Sequence, residues 1–506
     1  MQRLREVLKA RETWLALLLL LLGGLLRTLC IGSFPPGLNQ DEASIGYDAW
    51  SLLHYGIDRN GDAWPVLFQS WGSGQNVLYA YLSMPFLWLF GRGTASLRLC
   101  AALWGSGSLL VFWRLGRRSL GKGFGLLALL LLALNPWHLL LSRWALESNL
   151  LPAFLLLGIF FLCRVKERPW LLCAAAAAFA LGLYAYGTAF LFLPVFLLGA
   201  SVRILRRKYV SPGQYLAALG VFVLIALPLG LCQARNALGL PAGRFLWMSL
   251  PALTETRQAA TVSFSFGHWK ELGKLLWKQS DGLPWNSAGP FGLLWGLPGL
   301  ALSLLGLGRL LWRLGKGGLG DARAYVLLSL LSALAAAFFI DGNVNRLNFL
   351  FLPLIWCQAE GAHLLVKKCF ALLPVFLLAL FLASLGLGRW YVTKGAESLG
   401  PAFHEGLPEA IRYAGSLEPE TLWITGRVNA PYIYVLYELG IPPEEFTSTV
   451  RYRDPDWPFR QVLSFGKCRF YGEPPAGLCI LPRWEAEEGE TLAVFGGYAV
   501  VLHEES

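Results

Sequence analysis

Long apolar runs, separated by short clusters of Lys and Arg, set the pattern of the first 388 positions. Runs near twenty residues have the length needed to cross a bilayer core of about 30 Å. Eleven such stretches are predicted as spanning helices, at about 14–32, 97–113, 123–141, 149–163, 169–185, 189–204, 214–231, 289–312, 324–340, 347–365 and 369–388. The run NVLYAYLSMPFLWLFG (76–91) is apolar but short, contains Pro85 and ends in Gly91, so it reads as a re-entrant or interfacial helix. The first run, behind the basic head MQRLREVLKAR, lacks a small-residue cleavage site and reads as an uncleaved span. Beyond residue 388 the pattern changes. Residues 389–506 are polar, with strand-like runs TLWIT, CRFYG, LCILP and YAVVLH and helix-like runs EGLPEAIRYAG and APYIYVLYELG, which predicts a small α/β domain.

The charged residues orient this pattern. With the N-terminus cytoplasmic, the inner segments hold Arg3, Arg5, Lys9 and Arg11, then Arg114, Arg117, Arg118 and Lys122, then Arg164, Lys166 and Arg168, then Arg203, Arg206, Arg207 and Lys208. Arg309, Arg313, Lys316, Arg323, Lys367 and Lys368 complete that side, in keeping with the positive-inside bias. Two large loops, 33–96 and 232–288, and the 389–506 domain are then expected outside the cell. The net charge of +11 follows from these loops, and no basic surface with interleaved aromatics points to nucleic acid. A 55% hydrophobic content excludes an ordinary soluble protein, and the 21 Trp and 17 Tyr suit membrane–water interfaces. In the second loop, HWKELGKLLWKQ places Trp269, Leu272, Leu275 and Leu276 on one helical face, an interfacial anchor or a clamp over a lipid. The Gly-rich run GPFGLLWGLPGLALSLLGLG reads as close helix packing through small residues.

Candidate chemistry lies on the expected outer side. Asp41 and Glu42 follow span one, Glu147 lies between spans three and four, and Asp341 follows span nine. Carboxylates beside a low-dielectric wall suit a base or a metal ligand, which makes Asp41, Glu42 and Glu147 the catalytic candidates and Asp41 with Glu147 the metal candidates. Adjacent helix residues diverge by about 100°, so one of the acid pair points into a site while the other braces the loop. Asp48 reads as a cap or a solvated carboxylate. Arg98, Arg143 and Arg346 are candidates for holding a phosphate by their planar fork, the alternative being salt bridges to nearby carboxylates or headgroups. Tyr47 and Gln75, in the first loop, complete the candidate substrate contacts. Arg27, inside span one, is expected to snorkel to the interface. Of nine Cys, seven lie in or beside apolar runs, and Cys468 and Cys479 are a candidate disulfide pair; no CxxC or HExxH indicates zinc.

The segments NQDEASIGYDAW, HYGIDRNGDAWPV, YLSMPFLWLFG and ASLRL together resemble the first outer loop of lipid-linked glycosyltransferases of the GT-C superfamily, in particular the protein O-mannosyltransferase and aminoarabinose transferase group. LNPWHLLLSRWALESNLLPAFLLLGIFFL is similar to that group's next outer loop, and NVNRLNFLFLPL to its late Arg-then-Pro loop. The resemblance spans most of residues 14–388. It implies a GT-C-like transmembrane domain over 1–388 and a polyprenyl-phosphate-linked sugar donor. Transfer to a hydroxyl acceptor (protein, wall polymer or glycolipid) would take place on the outer face of a bacterial plasma membrane, usually with inversion. It also implies Asp41 as base, Glu147 as a metal or substrate contact, Arg98 as the first-loop arginine, and a divalent metal (Mg, Mn or Zn) as a candidate cofactor. One departure is GSGQNVLYAY, with Gln75 where the aminoarabinose branch has a Lys-Pro pair, which argues against aminoarabinose transfer. The rival class is a polyprenyl-linked lipid or glycan transporter. Transporters place polar groups near mid-membrane, whereas these spans are nearly free of acids.

Overall fold

A computed structural model of the chain describes residues 2–70, 73–253, 263–455, 460–486 and 489–503, with backbone alone for 2–10. The side chains of Arg3, Arg5 and Lys9, and residues 254–262 of the second large loop, lie outside this description.

Every predicted span is helical. The helices are α1 Gln2–Thr28, α2 Gln40–Tyr55, α3 Leu78–Phe90, α4 Thr94–Leu120, α5 Lys122–Leu134, α6 Pro136–Leu141, α7 Leu151–Leu162 and α8 Leu171–Ala185. They continue with α9 Ala189–Arg206, α10 Pro212–Ala237, α11 Phe266–Lys278, α12 Gly296–Gly315, α13 Asp321–Ala336, α14 Phe351–Lys368 and α15 Leu372–Trp390. Among the described residues, six helices are long and apolar enough to cross a bilayer, with four shorter apolar ones beside them, so the chain is a multi-pass helical membrane protein. The expected span 123–141 is two helices. Pro136 has no N–H for the ladder of α5, and the Asn135 side chain caps α6 by accepting from His138 N.

The bundle packs closely where small residues allow it. A Cβ on Gly306 of α12 would collide with the carbonyl of Cys357 on α14, and one on Gly361 with that of Leu302, so these two helices meet backbone to backbone. Arg27 does not snorkel. It is fully buried, donates to the carbonyls of Gly23, Leu132 and Ala133, and lies 2.7 Å from His138 Nδ1. An arginine inside the bundle must satisfy its donors there, and the carbonyls at the end of α5 supply acceptors.

At one end of the bundle the basic loops are stapled by acids. Glu12 pairs with Arg117 and Lys122, Glu167 with Arg118, Asp321 with Arg203, and Glu360 with Arg323 and Arg309.

The polar C-terminal region forms a mixed seven-stranded sheet. Its strands are β5 Leu422–Ile424, β6 Arg451–Tyr452, β7 Val462–Phe465, β8 Cys468–Phe470, β9 Gly477–Pro482, β10 Glu490–Phe495 and β11 Tyr498–His503, in the order β10-β11-β9-β5-β8-β7-β6. Two short hairpins, β1 Leu67–Ser70 with β2 Ser73–Asn76 and β3 Gly243–Phe245 with β4 Met248–Leu250, belong to the loops of the bundle. All four strand-like runs and both helix-like runs are strands and helices, the latter at Leu407–Ser416 and Pro431–Leu439. The candidate disulfide is not formed. β5 lies between β8 and β9 with Leu422 opposite Cys468 and Trp423 opposite Cys479, so the two thiols are two strands apart and on opposite faces of the sheet.

Candidate active site

The turn Gly37–Asp41 enters α2 through a capping box. The Asn39 side chain accepts from the first turn, and the Glu42 carboxylate accepts from Asn39 N at 3.0 Å. Glu42 then does much more. It receives Arg98 Nε and Nη2, both at 2.7 Å, and the Ala145 N–H at 2.8 Å, while fully buried. The neighbouring acid goes elsewhere: Asp41 lines an open cleft of about 370 Å³. The acid pair thus divides as helical geometry requires, one residue into the cleft and one into the frame.

Glu147, Gln75 and Arg346 line the same cleft. The loop carrying Glu147 is fixed by the Ala145 bond to Glu42, and Glu147 Oε2 accepts from Asn76 N. Gln75 ends the hairpin β1–β2, and its Oε1 accepts from Ser44 of α2 at 3.0 Å, which directs its amide nitrogen away from Ser44. Arg346 donates to Asp341 Oδ1 at 2.6 Å through Nη1. Its loop is pinned by Asp281, which accepts from Val344 N, and by Glu271 of α11, which accepts from Gly342 N. Helix α11 therefore buries Leu272 and Leu275 and braces the cleft from behind, with Trp277 left exposed.

Four sequence candidates lie outside the cleft. Glu42 is placed as a brace and not as a catalytic group, because every approach to its carboxylate is taken. Arg98 has no donor left for a phosphate: Nη1 serves the carbonyls of Ile31 and Pro35, Nη2 that of Gly37 as well as Glu42, and Nε Glu42. Arg143 donates from Nη1 to Leu26 O and from Nη2 to Leu29 O and Phe34 O, closing the C-terminal end of α1. Tyr47 is buried and donates to Ile441 O at 2.8 Å, docking α2 against the C-terminal domain. Asp48 is neither a cap nor solvated. It is buried in mid-helix and pairs with Arg59 at 2.9 Å, whose Nη2 also reaches Ser70 Oγ at 3.0 Å.

Other lining residues escaped the sequence reading. Trp144, Tyr186 and Trp285 give the cleft aromatic walls, and Asn39, Asn343, Asn345 and Asn429 give it neutral amides. His404 joins them from the segment after α15. Burial lowers the His404 imidazole to about 4, so it is neutral at physiological pH. The Asn pair in DGNVNR stood beside Arg346 in plain view, whereas nothing local marked Trp285 or His404. Among the described residues no three His, Cys, Asp or Glu side chains gather as a metal cage. Asp41 and Glu147 are two carboxylates in one cleft, and Glu147 already holds a backbone N–H. That donor set does not fit a resident protein-made metal site.

Residues 50–230 match the family model described as dolichyl-phosphate-mannose-protein mannosyltransferase. Among solved structures, ArnT from Cupriavidus metallidurans in the apo state matches with a TM-score of 0.55 at 14% identity, over 98% of this chain and 100% of that one. The same protein bound to undecaprenyl phosphate matches with a TM-score of 0.56 at 15% identity, over 97% of this chain and 99% of that one. At these identities the likeness is one of fold. No curated protein matches the chain. Taken with the apolar helices and the C-terminal sheet domain, these matches give the chain a multi-pass helical fold of the GT-C type, similar to that of ArnT.

Proposed function

We propose that the protein moves a sugar from a polyprenyl-phosphate carrier to a hydroxyl acceptor at the extracytoplasmic face of a plasma membrane, with inversion. The observation that carries this reading is the meeting of Asp41, Glu147, Gln75 and Arg346 in one cleft, although they come from four separate stretches of chain. The face is inferred from charge: the basic loops and their ion pairs stand at one end of the bundle, and the positive-inside bias assigns that end to the cytoplasm. Domain limits of 1–388 and 389–506 belong to the same reading. The carrier has a precedent in the fold, since ArnT from Cupriavidus metallidurans binds undecaprenyl phosphate.

In this mechanism the Asp41 carboxylate takes the proton of the acceptor hydroxyl as its oxygen attacks the anomeric carbon. The bond from that carbon to the phosphate oxygen breaks, and the carrier leaves as polyprenyl phosphate. A phosphate is already a good leaving group, so the site needs a base and a cation but no strong acid. General-base catalysis supplies about 10²–10⁴-fold. Arg346 neutralises the leaving phosphate, with Nε and Nη2 left over from its pair with Asp341. Gln75 and Glu147 hold the sugar hydroxyls, and the aromatic walls take its apolar face.

The deciding experiment is a panel of undecaprenyl-phosphate sugars offered to the detergent-purified protein, with and without chelator. Consumption of one donor with no membrane gradient is expected. A transporter would need two compartments and would leave the sugar–phosphate bond intact, and that outcome rejects the transferase.

A further inference from the structure

The cleft has two halves of different origin. Gln75, Glu147 and Arg346 come from loops of the helical bundle, whereas His404 and Asn429 come from the chain beyond α15. The second half is built against the turn that carries Asp41. Leu38 N donates to Phe403 O at 2.6 Å and Asn39 Nδ2 to Ala402 O at 3.2 Å. Gly37, at φ +76, lies so close that a Cβ would strike the carbonyl of Phe403. The segment leading into His404 is therefore fastened to the turn that carries Asp41 by one main-chain bond and one side-chain bond.

Its side chain is equally fixed. The backbone is left-handed, at φ 48 and ψ 54, a conformation that non-glycine residues hold only when their surroundings impose it. Nδ1 lies 2.8 Å from the Tyr498 hydroxyl, and the ring meets Tyr434 edge to face at 5.5 Å. A neutral imidazole with one nitrogen engaged by a hydroxyl keeps the other for an uncharged polar partner. A donor whose tail lies in the bilayer reaches the bundle loops first, which leaves the half built by the polar domain for the second substrate.

We propose that His404, with Asn429, forms the acceptor subsite and holds the acceptor hydroxyl against Asp41. This rests on the transferase reading. His404 acts by touching the acceptor, and Tyr498 acts through His404 as a positioning residue.

The test separates the two halves of the cleft. Binding of undecaprenyl phosphate to the purified full chain reports the donor half. Transfer of label from the donor that the wild type consumes to hydroxyl acceptors in an envelope extract reports both. His404→Ala is expected to lower transfer about tenfold while undecaprenyl phosphate affinity changes less than about twofold. His404→Gln, which keeps a neutral polar group, should recover part of the loss, and Tyr498→Phe should fall between. Wild-type transfer by His404→Ala overturns the assignment, as does equal loss of carrier binding and transfer, which would make His404 a folding residue. If the wild type consumes no donor in the panel, the transferase reading itself fails, and the subsite with it.

Discussion

At one end of the bundle Glu12, Glu167, Asp321 and Glu360 each meet an arginine or lysine that lies far away in sequence. At the other end Glu42 is spent in the same way on Arg98, while Asp41 and Glu147 border the cleft. The residue types are alike, and their surroundings differ. The buried ones, Glu12, Glu360 and Glu42, hold helices in register, because removing either partner strands a charge away from water. The contrast teaches that charge in this chain is read by what it faces, and that Asp41 and Glu42, adjacent in sequence, fall on opposite sides of that divide.

Five substitutions put this divide to the test. Asp41→Asn should lower sugar transfer by about 10²–10⁴-fold while leaving thermal stability near wild type, as measured by initial rates and a melting curve. Glu42→Ala should do the reverse. It leaves the Arg98 guanidinium buried without its counter-ion and should cost about 3–5 kcal/mol of stability, seen as a fall in melting temperature in detergent with activity lost in proportion to folded protein. Glu360→Ala, at the opposite end, strands Arg323 and should cost about 3 kcal/mol, yet turnover per folded molecule should match wild type. Arg346→Ala removes a half-exposed cation on the cleft and should raise the donor KM about tenfold, with melting unchanged.

The smallest effect concerns Asp58, buried in the first loop with Oδ1 accepting from Asn60 N and Asp62 N. Burial, with Asp48 and Asp62 nearby, raises its carboxyl to about 8. The folded loop therefore keeps a proton that the unfolded chain gives up near pH 4. The stability linked to that proton is complete below the unfolded value and is lost as pH rises through about 8. Asp58→Asn keeps the accepting oxygen without the charge, so melting curves from pH 5 to 9 should diverge in favour of the variant as pH rises.

Much of this was legible in the residues. Hydropathy placed all eleven helical stretches, because a run of apolar residues near bilayer length has few alternative fates. The strand-like runs of the C-terminal domain were read from alternation and β-branched content. Topology brings Asp41, Glu147 and Asp341 to the same end, since successive spans return the chain there; of the three, Asp41 and Glu147 line the cleft, and Asp341 pairs with Arg346. What stayed hidden depends on contacts across long separations. Arg98 and Arg346 look equivalent as letters, yet the turn at residues 31–37 offers carbonyls that consume Arg98, while Arg346 meets one carboxylate. Asp48 reads as a surface group until Arg59 is seen folded back over it. Cys468 and Cys479 look like partners until the strand order puts β5 between them. His404 has no local signal, because its place in the cleft is set by bonds to residues near position 38.

Those bonds have a consequence for how the molecule is made. Asn39 and Ala402 touch across 363 residues, so the first loop emerges from the ribosome long before the segment that completes it. Until the last span is inserted and the final domain has folded, Asp41 stands beside a half-built wall. A chain that lacks the final segment therefore lacks one wall of the cleft.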